Sequence, residues 1–465
     1  MAAGKIKAYL WSFIERFLFV IINFSLLIYL ARILEPEVFG GFAIFQGVLF
    51  ISLTFIDGGL FNAIIQKGKK NNQLLISSYY FVITMVTLFI VVVFLFGEQI
   101  FSWLGVDIVG VQYYLILCML FSALSTVNRV VSHIELNFKV IAKVGLIASI
   151  FSSSVCVIIV FIWETDQALY IQFTLYQFLT YFLLRKFVGW RPDTYKFSLA
   201  PLLEIKDYSL RIFVANLINN IYRQIYPIII GKYYSLHHAG IFSQAENLSR
   251  TPSYMLASVI QRVIFPILSQ GSNKEKESEY IIVTNVSAQV FIPIMTIIGV
   301  YSDFIVDFLL GPGWGEVYPI LSLLAFASCL NVHHVLNATY LQSEGFAKAY
   351  LNLEVLKKFM LTFFIIASVD YGIIYLCVAI VINSILVMII NSVFLHYVGL
   401  VSFIKQIGYV LPIYIVSLFI LIADNLFSYD FSKSLVFIYI ILFFINLLRL
   451  SWLIITKKKL IIPQS

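Results

Sequence analysis

Long apolar stretches recur along nearly the whole chain and restrict its fold more than any other feature. Each holds about twenty residues, the length that an α-helix needs to cross the hydrocarbon core of a bilayer. A helix also satisfies its own backbone hydrogen bonds there, whereas strands would have to close into a barrel. The pattern predicts about fourteen spans, at residues 10–31, 40–63, 75–96, 111–131, 144–163, 167–184, 208–230, 239–263, 282–304, 317–341, 352–370, 372–395, 406–424 and 434–455.

The composition agrees with an all-α integral membrane protein. Of the 465 residues, 61% are hydrophobic and 12% are charged, whereas soluble domains have about 25% charged residues. The longest connection is 185–207, so the predicted loops leave no room for a soluble domain. The first stretch contains Glu15 and Arg16 and lacks a small-x-small cleavage site, so we expect it to be a retained span.

The positions of the lysines and arginines predict the orientation. Most of the 31 cationic residues fall in the segments that are cytoplasmic if the N-terminus is cytoplasmic. The opposite loops contain Arg32, Lys232 and Lys433. Because cationic loops stay on the cytoplasmic side, we expect both termini to be cytoplasmic. The net charge of +7 then reflects topology and contact with anionic lipid, and we expect no nucleic-acid partner.

The cysteines and the other reactive side chains form no recognisable catalytic or metal-binding pattern. Cys118, Cys156, Cys329 and Cys377 all lie in apolar stretches, and no CxxC pair occurs. Neither a disulfide framework nor a zinc site is therefore expected. The sequence has no nucleophile–base arrangement, so we expect no catalytic residues, no metal and no cofactor.

Weak internal similarity predicts a repeat of six spans. Residues 31–42 align with 231–242, residues 101–105 with 308–311, and residues 134–143 with 342–351, in the same order. Six is an even number, so both blocks enter the membrane in the same direction, as in transporters with a parallel pseudo-two-fold repeat. The predicted division is an N-lobe at 1–184, a cytoplasmic linker at 185–207, a C-lobe at 208–395, and two further spans with a cytoplasmic tail at 396–465.

Polar side chains follow helical spacing in several spans, although charge at membrane depth is costly. Interhelical hydrogen bonding explains any one of them. As a set, they indicate a hydrated cationic vestibule between the lobes that suits an anionic ligand. The candidate binding residues are Arg16, Asn23, Asn216, Asn219, Asn220, Arg223, Tyr226, Asn247, Arg250 and Tyr254.

Three further residues are candidates for ion pairing or coupling: Asp57, Glu246 and His333. Glu246 precedes Arg250 by one helical turn and could form a buried pair with it. His333 could relay protons, or it could be a hydrogen-bonded histidine that lines a cavity. Arg129, Arg211 and Arg262 lie near predicted cytoplasmic ends, where extension of the side chain toward the interface explains them.

A succession of motifs carries a resemblance to a known family. "LARILEPEVFGGFAIFQ" is followed by "FIDGGLFNAIIQK", "IELNFK", "IIIGKYYSLHHAGIFSQAENLSRTP", "QRVIFPILSQ" and "GPGWGEVYPILSLLA". Together these motifs resemble the polysaccharide and O-antigen flippases, the Wzx-like branch of the superfamily that includes the MATE exporters. The resemblance covers residues 10–360.

The resemblance implies two six-helix lobes around a central cavity, in the cytoplasmic membrane of a bacterium. It implies transfer of an undecaprenyl-pyrophosphate-linked oligosaccharide to the outer leaflet, with the pyrophosphate held by Arg16, Arg223 and Arg250. Such a protein would be a transporter and not an enzyme. We expect a monomer that contacts membrane lipids and could also contact polysaccharide polymerase machinery. A MATE-like antiporter and a membrane polymerase or glycosyltransferase are the alternatives; the first would need cavity carboxylates, and the second an outside loop or soluble domain.

Overall fold

The computed structural model describes residues 20–67, 71–163, 165–192, 197–270 and 273–426. These residues form helices and connecting turns, without a strand. The helices are α1 (Val20–Ala31), α2 (Pro36–Asp57), α3 (Leu60–Lys67), α4 (Asn72–Trp103), α5 (Val111–Ile134), α6 (Phe138–Trp163), α7 (Ala168–Phe187), α8 (Ala200–Tyr233), α9 (Leu236–Gln270), α10 (Asn273–Val300), α11 (Ser302–Leu309), α12 (Val317–Ser328), α13 (Asn331–Ser343), α14 (Ala347–Ser368), α15 (Ile373–Tyr397) and α16 (Phe403–Leu426).

Within the described residues, eight segments are long and apolar enough to cross a membrane, and one of them combines α12 and α13. Four more long helices, α7, α8, α9 and α14, coincide with the sixth, seventh, eighth and eleventh predicted spans. Their polar residues make them less apolar than the other eight. The fourteenth predicted span and residues 10–19 of the first lie outside the described residues. The prediction of an all-α, multi-pass membrane protein is confirmed.

The chain divides into two compact units, residues 1–243 and residues 244–465. In the first unit, α2 packs against α4, α5 and α8, and α7 packs against α5 and α6. Its core includes Phe45 and Tyr170, whose rings meet edge to face at 5.1 Å. In the second unit, α10 packs against α12 and α16, and α12 packs against α15. The units are defined by packing within each of them and not by the repeat. The lobe boundaries predicted from the repeat therefore stay a prediction.

The second predicted span is two helices instead of one. Gly58 ends α2 in the left-handed conformation, with φ of +57°, and Gly59 follows with φ of +77°. The Asp57 carboxylate accepts hydrogen bonds from the N–H groups of Gly59 (3.1 Å) and Phe61 (3.2 Å), so it caps the start of α3. The two glycines permit the break, and the cap stabilises the new helix.

Left-handed residues recur at matching positions of the predicted repeat. They follow α4 and α11 (Gly105 and Gly311), α5 and α13 (Leu136 and Gly345), and α7 and α15 (Gly189 and Gly399). The turns at Leu136 and Gly345 have the same pattern of three backbone hydrogen bonds. In the first turn, the N–H groups of Glu135, Leu136 and Asn137 donate to the carbonyls of Val131, His133 and Ser132. In the second turn, those of Glu344, Gly345 and Phe346 donate to the carbonyls of Tyr340, Gln342 and Leu341. Helices commonly end this way; here the first two pairs of turns lie in stretches that the sequence alignment pairs, 101–105 with 308–311 and 134–143 with 342–351.

The tenth predicted span is broken between α12 and α13, at Cys329 and Leu330. Its counterpart α5 is one uninterrupted helix of 24 residues, whereas the segment Val317–Ser343 has 27 residues. The backbone N–H of Cys329 bonds to the carbonyls of both Ala325 and Phe326, which tightens the last turn of α12. The break therefore falls in the longer of the two corresponding segments.

Candidate functional site

The polar face of α8 packs against α2 within the first unit. Asn220 Nδ2 donates a hydrogen bond of 2.7 Å to Thr54 Oγ1. The Arg223 guanidinium lies 5.6 Å from the centre of the Phe50 ring, one turn from Thr54 along α2. Three residues beyond Arg223, the Tyr226 ring lies 5.5 Å from that of Phe242. The structure therefore places three predicted binding residues along one side of α8.

Arg223 and Asn219 are exposed on this face, one turn apart. A guanidinium that stacks on an aromatic ring still presents N–H groups along its edge. Those groups can donate two parallel hydrogen bonds to a phosphate or a carboxylate. The α8 face can therefore bind an oxyanion without losing its contact with α2.

The polar face of α9 in the second unit is an ordered chain of three side chains one turn apart. Glu246 accepts a hydrogen bond from Arg250 Nη1 at 2.5 Å, and Arg250 Nη2 donates to Tyr254 Oη at 3.1 Å. Tyr254 and Asn247 are exposed. The predicted Glu246–Arg250 pair is thus present, and it partly neutralises the Arg250 charge.

The first predicted span contributes one described candidate. Asn23 on α1 donates a hydrogen bond of 3.1 Å to Ser149 Oγ on α6. This contact ties α1 to α6. Arg16 lies outside the described residues.

A cavity of about 410 Å³ lies inside the first unit, and we call it the Arg129 cavity. Two predicted candidates, Asp57 and Asn216, contribute to its wall. Asn216 therefore lines this cavity, while Asn220 and Arg223 on the same helix contact α2. The lining residues are Leu53, Ile56, Asp57, Phe61, Asn62, Ser122, Ala123, Thr126, Arg129, His133, Ile141, Val144, Gly145, Tyr176, Thr180, Leu184 and Asn216.

The polar face of α5 in this cavity was not among the predicted candidates. Ser122, Thr126, Arg129 and His133 are spaced by three and four residues and all line the wall. That spacing is visible in the sequence and could have identified the face. Arg129 was instead explained by its nearness to the cytoplasmic end of a span. Its position on a cavity wall makes it a candidate binding residue.

His333 belongs to a buried hydrogen-bond network in the second unit. Its Nε2 lies 3.0 Å from Ser392 Oγ and 3.3 Å from Asn337 Nδ2. Asn337 accepts a hydrogen bond from Tyr280, and Gln406 Nε2 donates to the Ser392 carbonyl at 3.2 Å. No carboxylate is hydrogen-bonded to His333 in the described part of the chain. A coupling role for His333 stays a prediction.

The two glycines paired by the sequence alignment meet in the first unit. A methyl group on Gly40 would lie 2.0 Å from the Leu236 carbonyl oxygen, and one on Gly240 would lie 1.8 Å from that of Pro36. Only residues without a side chain permit this approach of α2 to the start of α9. Beside it, His237 Nδ1 lies 2.9 Å from Glu37 Oε1. We call this contact the Glu37–His237 latch.

The whole fold resembles that of solved transporters. The lipid II flippase MurJ, in an inward closed conformation, matches with a TM-score of 0.72 and 16% identity, over 98% of this chain and 100% of MurJ. An inward-facing multidrug resistance MATE family transporter of the MOP superfamily matches with a TM-score of 0.63 and 14% identity, over 85% and 94% of the two chains. At such identities the likeness concerns the fold, and it confirms the predicted fold class.

Three curated proteins are similar in sequence to this chain. An uncharacterized membrane protein in the cps region of Klebsiella pneumoniae is 23% identical over 75% of this chain and 72% of its own length. The succinoglycan biosynthesis transport protein ExoT of Rhizobium meliloti (strain 1021) is 22% identical over 64% and 61%. The teichuronic acid biosynthesis protein TuaB of Bacillus subtilis (strain 168) is 24% identical over 45% and 44%. The last two are matched over less than two thirds of their length.

The family comparison covers more than half of the chain and includes the α2–α8 contacts and the Arg129 cavity. Residues 29–319 match the family described as polysaccharide biosynthesis protein, and the chain belongs to that family.

Proposed function

We propose that the protein is a flippase that moves a lipid-linked oligosaccharide from the cytoplasmic to the outer leaflet of a bacterial cytoplasmic membrane. Arg223, an exposed guanidinium on a membrane helix, carries this proposal. Family membership supports a role in polysaccharide biosynthesis. The names of two similar proteins, a lipid II flippase and a succinoglycan biosynthesis transport protein, favour transport of lipid-linked sugar.

The cargo that fits this chemistry is an undecaprenyl-pyrophosphate-linked repeat unit of an O-antigen, capsule or exopolysaccharide. Arg223 would bind a phosphate through its edge N–H groups while its face stays on Phe50. Arg250 would contribute a weaker contact because Glu246 already holds it. Several moderate contacts suit a transporter, since the anion must be released in the outer leaflet. Arg16 and the amides of α8 and α9 complete the proposed set.

A flippase for a lipid-linked anion explains the described residues better than the two alternatives. A MATE-like antiporter for small cations would need available carboxylates on the cavity faces, and here Glu246 is paired with Arg250 while Asp57 accepts two backbone N–H groups at the start of α3. A polymerase or glycosyltransferase would need a large outside loop or a soluble catalytic domain, and the connections between the described helices are short. We therefore propose that the protein is not an enzyme. We also propose that it works as a monomer with cytoplasmic termini, beside polysaccharide polymerase machinery.

Reconstitution tests the role of Arg223. Fluorescent undecaprenyl-pyrophosphate-linked oligosaccharide is placed in proteoliposomes, and its accessibility in the outer leaflet is measured over time. Arg223→Ala should lose most flipping because the anion loses its bidentate partner, and Arg223→Lys should retain part of it. Arg185→Ala removes a cation from the end of α7 and is the matched control. Normal flipping by Arg223→Ala, at normal abundance, would make Arg223 a structural residue.

Alternating access predicts that the Glu37–His237 latch opens during each cycle. Replacing both residues with cysteine places two thiols where the side chains now meet at 2.9 Å. Oxidation to a disulfide should stop flipping, and a reducing agent should restore it. The single variants Glu37→Cys and His237→Cys, oxidised in parallel, control for loss of the latch itself. Undiminished flipping with the disulfide formed would refute an opening movement at this contact.

A further inference from the structure

The Arg129 cavity lies entirely within the first unit, apart from the α8 face that carries Arg223. Helices α2, α3, α5, α6, α7 and α8 all contribute to its wall. At about 410 Å³ it has the size of a small-molecule site. An isolated phosphate or chloride would leave most of it empty.

Arg129 is the arginine in the wall of this cavity. It forms no hydrogen bond or ion pair with any residue that the structure describes. Asp57 is the carboxylate in the wall, and it already accepts two backbone N–H groups at the start of α3. His133, one turn along α5 from Arg129, adds a ring N–H that can donate a further hydrogen bond. An anion bound here would gain a charge-assisted hydrogen bond, and it would offset the cost of the guanidinium in the membrane.

The rest of the polar wall offers hydroxyl and amide groups. Thr180 is 4% exposed, and its hydroxyl forms no hydrogen bond with the described residues. A buried hydroxyl without a partner is costly, so a bound group that completes its bonding is favoured. Asn216 and Asn62 present amides, which can donate and accept at once. Such a wall matches the hydroxyl groups of a polyol.

We propose that the Arg129 cavity is a second binding site, for a polyol that carries one phosphate group. The phosphate binds Arg129 and His133, and the hydroxyl groups bind the side that includes Thr180 and Asn216. Two sources supply this chemistry: the headgroup of phosphatidylglycerol from the surrounding bilayer, and a soluble sugar or glycerol phosphate. The site does not depend on the proposed flipping activity, since none of its arguments involves the cargo.

Binding to the purified full-length protein tests the proposal in two arms. In the first arm, isothermal titration calorimetry measures the binding of glycerol 1-phosphate, with inorganic phosphate and glycerol as comparison probes. In the second, native mass spectrometry counts lipids retained from nanodiscs of phosphatidylglycerol or phosphatidylcholine. Retention of phosphatidylglycerol alone identifies the lipid as the source, and binding of glycerol 1-phosphate identifies a soluble ligand.

Three variants locate the site. Arg129→Gln should weaken the observed binding at least tenfold, and Thr180→Val about threefold, while Arg185→Gln should leave it unchanged. Thr180→Val keeps shape and charge, so it remains informative if Arg129→Gln does not fold. Equal binding of inorganic phosphate and glycerol 1-phosphate would overturn the polyol part. Failure of both probes to bind, or full binding by both cavity variants, would overturn the site, whatever the outcome of the flipping assay.

Discussion

Helices α5 and α13 end in turns of the same kind, yet their polar faces have different surroundings. In the first unit, Arg129 and His133 on α5 line a cavity of about 410 Å³. In the second unit, His333 and Asn337 on α13 belong to a buried network. The cavity beside that network has a volume of only about 10 Å³, enough for one water molecule. The two copies of the repeat therefore have the same kind of turn, but in the part of the chain that the structure describes only the first has a large cavity beside it.

The difference separates two uses of polar residues in a membrane protein. On α13, His333 and Asn337 are hydrogen-bonded to Ser392 and Tyr280, and Gln406 bonds to the Ser392 carbonyl, so the network ties α13 to α10, α15 and α16. On α5 the polar residues face open space, and Arg129 has no described partner to complete its bonding. The first arrangement specifies packing, whereas the second is available to a ligand.

The largest expected effect concerns the side of the membrane on which the paired turns lie. A parallel repeat requires Asn137 and Gln342, beside the turns after α5 and α13, to lie on one side, and Asp107 and Pro312 to lie on the other. Each residue is exposed and is replaced singly with cysteine. An impermeant thiol reagent added to intact cells should label the cysteines at 107 and 312 and leave those at 137 and 342 unlabelled.

The native protein supplies the background for this labelling, because Cys118, Cys156, Cys329 and Cys377 are all buried. Permeabilised cells should show labelling at all four introduced positions. If the cysteines at 137 and 342 react from opposite sides, the two blocks are inverted and the comparison of α5 with α13 loses its basis.

The next effect tests whether the two polar faces differ in their role in stability. Asn337→Leu removes the hydrogen bond that the buried Tyr280 hydroxyl donates to Asn337 and leaves it only the longer contact of 3.4 Å with Gln406 Oε1, at a cost of about 1–3 kcal/mol. Asn216→Leu, the matched change in the Arg129 cavity, should alter stability by less than about 0.5 kcal/mol. Unfolding of both purified variants by increasing SDS gives the comparison. Equal losses would show that the α5 face is also structural.

Much of this architecture could be predicted from the sequence, since the length of an apolar helix has a direct physical cause in a bilayer. The pairing of Gly40 with Gly240 and the Glu246–Arg250 contact also followed from local patterns. The breaks in the second and tenth predicted spans did not. At Asp57, the sequence shows a charge near a helix end, and the structure shows a cap that starts a new helix.

The Arg129 cavity was beyond prediction for a different reason. Its wall combines residues from six helices, and no local spacing indicates which of their faces converge. Asn216 shows the limit clearly. Helical spacing grouped it with Asn220 and Arg223, but the structure places it on the cavity wall while they contact α2. Periodicity identifies a face, and only tertiary packing decides what each end of that face meets.

The smallest effect concerns the paired turns themselves. Leu136 occupies the left-handed region with φ of +53°, where Gly345 stands in the second copy with φ of +79°. That conformation costs a residue with a Cβ about 1–2 kcal/mol. Glycine avoids this cost, but it destabilises the fold by about 0.5–1 kcal/mol because it gives up more conformational entropy on folding. Leu136 is 55% exposed, so its side chain contributes little by burial. Leu136→Gly should therefore stabilise the protein by up to about 1 kcal/mol, in SDS unfolding.

Gly345→Leu should have the opposite sign and a similar size. No atom lies within 4 Å of a Cβ built at Gly345, so the loss comes from the backbone conformation and not from a clash. Gly408→Leu is the matched control, because Gly408 has equally open surroundings but lies within α16 without a positive φ. There the same substitution should stabilise the helix by about 0.5–1 kcal/mol. A loss at both glycines would point to the added side chain, and gains at both would show that the turn after α13 tolerates any residue.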